Sequence, residues 1–252
     1  MTKVINFKSI KMSCTQCSLS QLCLPRGLTL EEIDSLTAIV KRERPVDKGE
    51  PLYELGQPFK SLYAIRTGSV KVFLPTNDGD EQIVGFHMPG EILGFDGMGH
   101  DLHACSAVAL ESSSICELPY SHLHDLSHKL PSLSDHLMTL MSNEIADEHA
   151  MMLMLAKKSA EARMATFLTS LSARFNKRGF SAHQFHLTMS RNDIANYLGL
   201  AVETVSRLMT HMQDTGFIHV DRRFVSIVDM PGLHALAGER ESPSLCAEKH
   251  AE

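Results

Sequence analysis

The chain lacks any long uninterrupted stretch of apolar residues. Nowhere do about 18 apolar residues follow one another, which is the length that a membrane-spanning helix requires. The first residues, Met1 to Lys11, alternate apolar and polar side chains and contain neither the apolar core nor the cleavage site of a secretory signal. The sequence therefore predicts a cytoplasmic protein that does not associate with membranes.

Sequence signatures of common enzyme classes are also missing. The chain contains no glycine-rich phosphate-binding loop and no metalloprotease motif. Most of its 14 histidines stand singly, and His122, His124 and His128 share a polar segment that is typical of a solvated helix face. We therefore predict that the protein is not an enzyme.

Excess positive charge is lacking overall but occurs locally. The formal net charge of -6 argues against a protein that coats nucleic acid indiscriminately. Between Lys157 and Arg207, however, eight basic residues stand beside three acidic ones. This basic segment is the part of the chain in which we expect contact with nucleic acid.

Short strands follow a short helix in the first half of the chain. Thr29 and Glu32 form a capping-box pattern that predicts a helix through Val40. From Gly49 to about Pro119, short apolar segments alternate with turn residues. Regularly spaced short strands indicate an antiparallel β-barrel or jelly roll.

A long helix is predicted after the strands, because residues 132–158 contain neither proline nor glycine and are rich in Met and Leu. Mostly apolar residues of this segment recur at alternating intervals of three and four positions, as in the seam of a coiled coil. Such a seam either packs on its own domain or forms a dimer axis, and its position between a β domain and a basic segment favours a homodimer. The seam residues are Met138, Met141, Ile145, Glu148, Met152 and Leu155.

Residues 187–217 have the pattern of two helices joined by a tight turn. Ser190 and Asp193 cap the first helix, and Gly199 provides a left-handed turn. The second helix, at about 202–213, is expected to bury Val205, Leu208 and Met212. Its outer face and the start of the first helix supply candidate DNA-binding residues: Arg191, Glu203, Thr204, Ser206 and Arg207.

These side chains suit the reading of base edges in a major groove. Arg207 can bind guanine through two hydrogen bonds, Glu203 can accept one from cytosine, and Ser206 can serve either partner. A hairpin follows, with Arg222 and Arg223 at its tip as a wing that can reach phosphates. The alternative is an ordinary helix pair with a solvated polar face.

A chain of 252 residues with 43% hydrophobic content has room for two domains. We predict an α+β protein with an antiparallel β-roll of the jelly-roll, cyclic-nucleotide-binding-like type, a long dimerisation helix and a winged helix-turn-helix. The predicted segments are a cysteine-bearing arm at 1–27, the β-roll sensor domain at 28–130, the dimerisation helix at 131–158, the DNA-binding domain at 159–236 and a polar tail at 237–252.

Three cysteines occur in the spacing C-x2-C-x5-C at Cys14, Cys17 and Cys23. In a reducing compartment they are more suited to metal binding than to disulfides. A fourth thiolate would come from Cys105, Cys116 or Cys246. Spacing alone leaves zinc, an iron-sulfur cluster and unligated thiols open.

Five stretches of the chain are distinctive: Cys14 to Pro25, Ser61-Leu-Tyr-Ala-Ile-Arg66, Gly79-Asp-Glu-Gln-Ile83, Ile115-Cys-Glu-Leu-Pro119 and Gly199-Leu-Ala-Val-Glu-Thr-Val-Ser-Arg207. Together they resemble the FNR group of the CRP/FNR superfamily, which are oxygen-sensing regulators of anaerobic genes. The resemblance implies a 4Fe-4S cluster held by Cys14, Cys17, Cys23 and Cys116, with Cys105 and Cys246 not acting as ligands.

The resemblance implies a global regulator, acting as activator or repressor, whose oxygen-labile cluster promotes dimerisation and DNA binding without oxygen. Cluster loss would give monomers and release DNA. It further implies palindromic TTGAT-type half-sites and contact with RNA polymerase, for which Gly79 and Asp80 are candidates, although a simple hairpin turn explains them equally well. At the seam, two Glu148 carboxylates would repel across the two-fold axis and keep the dimer near balance.

One alternative sensor and one departure from the family pattern concern the β-roll and the recognition helix. Met88-Pro-Gly-Glu91 resembles the phosphate cassette of cyclic-nucleotide receptors, but no Arg-Ser pair follows in 101–106, so no cyclic nucleotide is expected. The recognition helix ends His211-Met-Gln-Asp214, without the basic residue that relatives often carry.

The alternative function is a regulator of the same type with a zinc or other non-cluster sensor. A zinc-binding module that mediates protein interactions is a third class of function.

Overall fold

The computed structural model describes residues 13–42, 45–76 and 80–238. The chain divides into two compact units between Asp147 and Glu148. The longest helix, α3 (Pro131–Lys157), runs through this division. Within the described ranges, no helix is long and apolar enough to cross a membrane.

The first unit is an antiparallel β structure with flanking helices, as the sequence predicted. In chain order its elements before α3 are α1 (Leu30–Ile39), β1 (Lys41–Arg42), β2 (Pro51–Tyr53), β3 (Ser61–Thr67), β4 (Val70–Pro75), β5 (Glu81–His87), β6 (Ile92–Leu93), β7 (Ser106–Ala109), β8 (Ser114–Pro119) and α2 (Tyr120–Lys129). The strands form two four-stranded sheets, in the orders β1-β8-β3-β6 and β2-β7-β4-β5.

The turn between β4 and β5 is described only in part. Gly79, one of the predicted polymerase contacts, lies outside the described residues. Asp80 is exposed, and its carbonyl oxygen accepts a hydrogen bond from the Thr76 N–H at 2.8 Å.

The capping box predicted for α1 is present. The Thr29 hydroxyl accepts from the Glu32 N–H at 3.3 Å, and the Glu32 carboxylate accepts from the Thr29 N–H at 2.7 Å. The Ser132 hydroxyl also donates to the Glu32 carboxylate at 2.9 Å. The start of α1 is therefore hydrogen-bonded to the start of α3.

An apolar core joins the arm to this unit. Leu24 of the arm and Leu133 of α3 belong to the same buried cluster as Leu62 of β3 and Leu118 of β8. Full burial of a leucine side chain stabilises a fold by about 1.5–3 kcal/mol. The arm is thus held to the β-roll and to α3 by apolar packing.

The second unit has the winged helix-turn-helix that the sequence predicted. After α3 its elements are α4 (Ala160–Lys177), β9 (Gln184–His186), α5 (Arg191–Leu198), α6 (Val202–Asp214), β10 (Ile218–Asp221), β11 (Phe224–Ile227) and α7 (Met230–Ala237). The strands form one antiparallel sheet in the order β10-β11-β9. The hairpin β10-β11 is the predicted wing.

Local sequence signals determine where α5 begins and where it ends before α6. Ser190 and Asp193 form a capping box, and Gly199 adopts the left-handed conformation, with φ 61°, that ends α5. One expectation was wrong: α6 buries Met209, whereas Leu208 is only half-buried. The helical period explains the difference, since Met209 follows Val205 by four residues on the buried line and Leu208 lies at its edge.

Candidate functional site

Four cysteines line one pocket of the first unit. The pocket contains about 460 Å³ of empty space, including its opening to solvent. Cys14, Cys17 and Cys23 come from the arm, and Cys116 comes from β8. The other lining residues are Leu19, Ser20, Leu24, Pro25, Leu36, Val40, Ala64, Ile65, Arg66 and Leu118. Four cysteine residues therefore line one mainly apolar pocket.

Backbone hydrogen bonds shape the arm around this pocket. A short 3₁₀ turn at Cys14–Gln16 is capped by Ser13, and the Cys14 N–H donates to the Thr37 hydroxyl of α1 at 3.2 Å. The Cys17 N–H donates to the Cys14 carbonyl at 3.2 Å, and the Cys23 N–H donates to the Leu19 carbonyl at 3.0 Å. The three arm cysteines are thus placed by one folded loop.

The arm also approaches the turn between β5 and β6 very closely. Gly90 has φ +90°, and a Cβ atom placed on it would lie 2.9 Å from the Leu22 Cβ. A side chain at position 90 would push against the residue that precedes Cys23. Glycine at this turn therefore allows the arm to pack on the β-roll.

Strand pairing brings Cys116 to the pocket. β8 lies between β1 and β3, with Cys116 opposite Ala64 of β3. Ala64 and Cys116 therefore line the pocket side by side.

Burial disfavours ionisation of the Cys23 thiol. Burial raises the pKa of Cys23 to about 12; a hydrogen bond from the Leu24 backbone opposes this effect, and the neighbouring Cys116, Cys14 and Cys17 add to it. Cys23 is therefore a neutral thiol near pH 7 in the metal-free protein. Binding of a metal centre must displace its proton.

The donor set fits an iron-sulfur cluster, because such clusters are held by four cysteine thiolates. None of the five described cysteines forms a disulfide. In the described part of the chain, no three His, Cys, Asp or Glu side chains are grouped so that they could hold a single metal ion.

Cys105, another candidate thiol, does not line this pocket. Cys105 lies in a separate buried cluster, with its sulfur 4.0 Å from the Tyr53 hydroxyl, and burial raises its pKa to about 12. Cys246 lies outside the described residues. Spacing alone could not distinguish Cys116 from Cys105, because their surroundings depend on the pairing of strands: Cys116 lies on β8, whereas Cys105 directly precedes β7 of the other sheet.

The predicted base-reading residues lie together on α6. Glu203, Ser206 and Arg207 are exposed, and Thr204 is half-buried. Arg191, at the start of α5, is also half-buried, and burial lowers its pKa. Its Nη1 atom is buried without a hydrogen-bond partner within the described residues, so a phosphate would have to contact another part of the guanidinium.

Arg163 supports the helix pair from α4. Its guanidinium donates to the carbonyl oxygens of Leu198 at 3.0 Å, Leu155 at 2.7 Å and Lys158 at 3.1 Å. These bonds tie the end of α3 to the end of α5. In the sequence Arg163 is one of the eight basic residues between Lys157 and Arg207, and no local signal distinguishes its role from that of its charged neighbours.

The wing presents both predicted arginines to solvent. Arg222 has φ 55°, and Arg222 and Arg223 are exposed between β10 and β11. The Arg223 carbonyl accepts from the Leu187 N–H at 2.8 Å, which ties the tip of the hairpin to the residue that follows β9.

The predicted seam of α3 is only partly exposed. Met138, Ile145 and Met152 are 66%, 52% and 68% exposed, and Glu148 is exposed as well. Met141 and Leu155 are half-buried. A Cβ on Gly199 would lie 3.6 Å from the Leu155 Cδ2, so Leu155 packs at the turn of the helix pair.

A contact between the arm and α3 was not foreseen. Burial lowers the pKa of His136, and a hydrogen bond with the Cys23 backbone opposes this effect. Since His136 belongs to α3, this helix reaches the loop that carries Cys23. Nothing in the sequence pattern indicates the pairing.

Comparisons with known proteins agree with this architecture. Residues 43–129 match the cyclic nucleotide-binding domain family, and residues 162–236 match the Crp-like helix-turn-helix domain family. The transcriptional activator protein anr of Pseudomonas aeruginosa is 52% identical over 239 residues, which cover 94% of this chain and 98% of that protein. The fumarate and nitrate reduction regulatory protein of Salmonella typhimurium is 48% identical over 225 residues, which cover 89% of this chain and 90% of that protein.

The solved structure of FixK2 from Bradyrhizobium japonicum has a TM-score of 0.73 and 29% identity, and the alignment covers 79% of this chain and 97% of that chain.

A β-roll of this type joined to a helix-turn-helix defines a class of DNA-binding transcription regulators, not enzymes. Within that class, the chain belongs to the FNR group of the CRP/FNR family. The predicted family, fold class and absence of enzymatic activity are thereby confirmed. The expectation that no cyclic nucleotide binds stays a prediction, since the family match concerns the fold of the domain.

Proposed function

We propose that the protein is an oxygen-responsive transcription regulator in which Cys14, Cys17, Cys23 and Cys116 hold a 4Fe-4S cluster. The observation that carries the proposal is the presence of these four thiols around one apolar pocket. When bound, such a cluster supplies a centre that oxygen destroys. The names of the relatives support a role in gene activation and in the use of fumarate and nitrate, which serve as electron acceptors without oxygen.

Under this proposal, the four thiolates cross-link the arm to β8. Leu24 of the arm already shares a core with Leu133 of α3, and Glu32 of α1 binds Ser132 of α3. His136 adds a link to the Cys23 backbone. An arm that is ordered by cluster binding would therefore stabilise the first turns of α3. Loss of the cluster would remove this stabilisation.

The dimer would form along α3. Met138, Ile145 and Met152 expose apolar side chains that a second copy would cover, which favours association. Glu148 is exposed among them, and two copies of its carboxylate would repel across a two-fold axis. Because apolar burial and carboxylate repulsion oppose each other, a small change in the order of the arm would decide between monomer and dimer.

We further assign DNA reading to Glu203, Thr204, Ser206 and Arg207, acting in the cytoplasm on palindromic TTGAT-type half-sites. Dimerisation would set the spacing of two recognition helices, so that monomers release the operator. Asp80 is exposed next to β5 and suits a contact with RNA polymerase. The domain roles follow the predicted segments: arm, β-roll, dimerisation helix and DNA-binding domain.

Oxygen-free purification tests the proposal most directly. We expect wild-type protein and Cys105→Ser to carry iron and sulfide and to lose their brown absorption in air, because Cys105 is remote from the pocket. Cys116→Ser should lose most of the iron while remaining folded by circular dichroism. Colourless wild-type protein that contains zinc, or full iron content in Cys116→Ser, would contradict the proposed ligand set.

A further inference from the structure

Two histidines lie one turn apart on the exposed side of α2. The Nε2 atoms of His124 and His128 are 3.2 Å apart, and the rings meet edge to face with their centroids 4.4 Å apart. Both side chains are exposed. In the metal-free protein, one ring can donate a hydrogen bond to the other.

We propose that His124 and His128 form a chelating site for a divalent transition-metal ion of the Ni²⁺, Cu²⁺ or Zn²⁺ type. With metal–nitrogen distances of about 2.0–2.1 Å, two imidazole nitrogens on one ion lie about 3.3 Å apart in tetrahedral geometry and about 2.9 Å apart at a right angle. The observed separation of 3.2 Å falls between these values. An ion can therefore replace the shared proton without movement of the backbone.

The helix holds the pair in place. Residues four apart face the same side of a helix, which is also the spacing of the two histidines in helical zinc motifs. Leu123 is buried in the core of the first unit and anchors α2 on its opposite side. The Tyr120 ring packs beside His124, with a centroid distance of 5.8 Å, and restricts its rotation.

The site is chemically distinct from the cysteine pocket. The pocket is lined by the arm, α1, β3 and β8 and by no residue of α2. Thiolates select soft centres, whereas imidazole suits borderline ions such as Ni²⁺, Cu²⁺ and Zn²⁺. Since no third metal-binding side chain joins the pair in the part of the chain that the structure describes, water or another molecule would complete the coordination.

Binding of Ni²⁺ by the oxygen-free full-length protein, followed by calorimetry, tests the proposal. We expect a single site whose affinity falls by about 100-fold in His124→Gln and in His128→Gln, the lower end of what joining two binding groups adds. His122→Gln is the matched control, because His122 is an exposed histidine of the same helix that lies outside the pair. All cysteines are kept, so that any Ni²⁺ bound by thiols is a common background.

Thermal unfolding supplies a second measurement. An ion that bridges two turns of the folded helix stabilises the folded state, so Ni²⁺ should raise the unfolding midpoint of the wild type and of His122→Gln but not of the two paired variants. Glutamine at these exposed positions is compatible with the helix. Equal Ni²⁺ affinity in wild type and in the double variant His124→Gln/His128→Gln would overturn the proposal and leave only a hydrogen bond between the rings.

Discussion

Arg207 reaches solvent from a helix whose opposite side is buried. The buried side of α6 contains Val205, Met209 and Met212, which pack the helix firmly against its neighbours. The backbone that carries Arg207 is therefore held in place. This matters because a two-point contact with guanine depends on the orientation of the guanidinium as well as on its charge. The arginines of the wing lie instead on a hairpin tip, where charge alone suffices to attract phosphate.

Replacement of these two kinds of arginine should have different consequences. Arg207→Ala should weaken binding to the matched operator by about 1–3 kcal/mol and reduce discrimination against a change of the contacted base. Arg223→Ala, the control, should weaken binding to all duplexes alike and reduce the salt slope by about one. Fluorescence anisotropy over a range of salt measures both. Unchanged base discrimination in Arg207→Ala would contradict its role as a base-reading residue.

Individual residues differ in how far sequence predicts them. The capping boxes at Thr29 and Ser190 and the turn at Gly199 were predicted because their partners lie within a few positions along the chain. Cys116 could not be selected from spacing alone, since its position depends on a strand register formed over more than 50 residues. The contact of His136 with the Cys23 backbone is equally non-local.

Helices and strands were predicted most successfully where their pattern is long or repeated. The structure has α3 at Pro131–Lys157, close to the range expected from its composition. The face of α3 was harder to predict, because the three-four spacing includes Leu155, which packs beside Gly199 and is only half-buried. A heptad pattern records which positions are apolar but not which neighbour covers each one.

The bonds of Arg163 join three elements, and their removal should destabilise the DNA-binding unit. Hydrogen bonds to charged groups contribute about 1.5–3 kcal/mol each, with partial compensation by water when they are lost. We expect Arg163→Ala to lower the free energy of unfolding by about 2–4 kcal/mol and Arg163→Lys to lose less. Urea unfolding of the full chain measures the change.

Lys177→Ala serves as the control for Arg163, since it removes one positive charge from an exposed position of the same helix. Its effect should stay within about 0.5 kcal/mol. Equal loss of stability in both variants would mean that net charge, and not the three carbonyl contacts, explains the effect of Arg163.

At the scale of the whole molecule, the exposed apolar residues of the α3 seam and Glu148 have opposite effects on dimerisation. Burial of the apolar residues favours a dimer, and the approach of two Glu148 carboxylates disfavours it. Neither effect is visible within a single copy of the chain. Both act only when two copies meet, which is why the sequence suggested the dimer but gave no measure of its strength.

Glu148→Ala should therefore strengthen association of the air-exposed, cluster-free protein. Removal of a repulsion of about 1 kcal/mol lowers the dimer dissociation constant roughly fivefold. Asp147→Ala removes the same charge from the neighbouring position outside the seam and should change it little. Sedimentation velocity measures the dissociation constants, and equal values for Glu148→Ala and the wild type would exclude this role.

The Arg163 contacts also affect how freely the chain can bend after α3. Helix ends ordinarily fray, because their last four carbonyl groups lack partners. Here the carbonyls of Leu155 and Lys158 both accept hydrogen bonds from the Arg163 guanidinium. The same guanidinium also donates to the Leu198 carbonyl at the end of α5. The connection between α3 and the helix pair is therefore stiff, and any reorientation of the final turn of α3 would move the end of α5 with it.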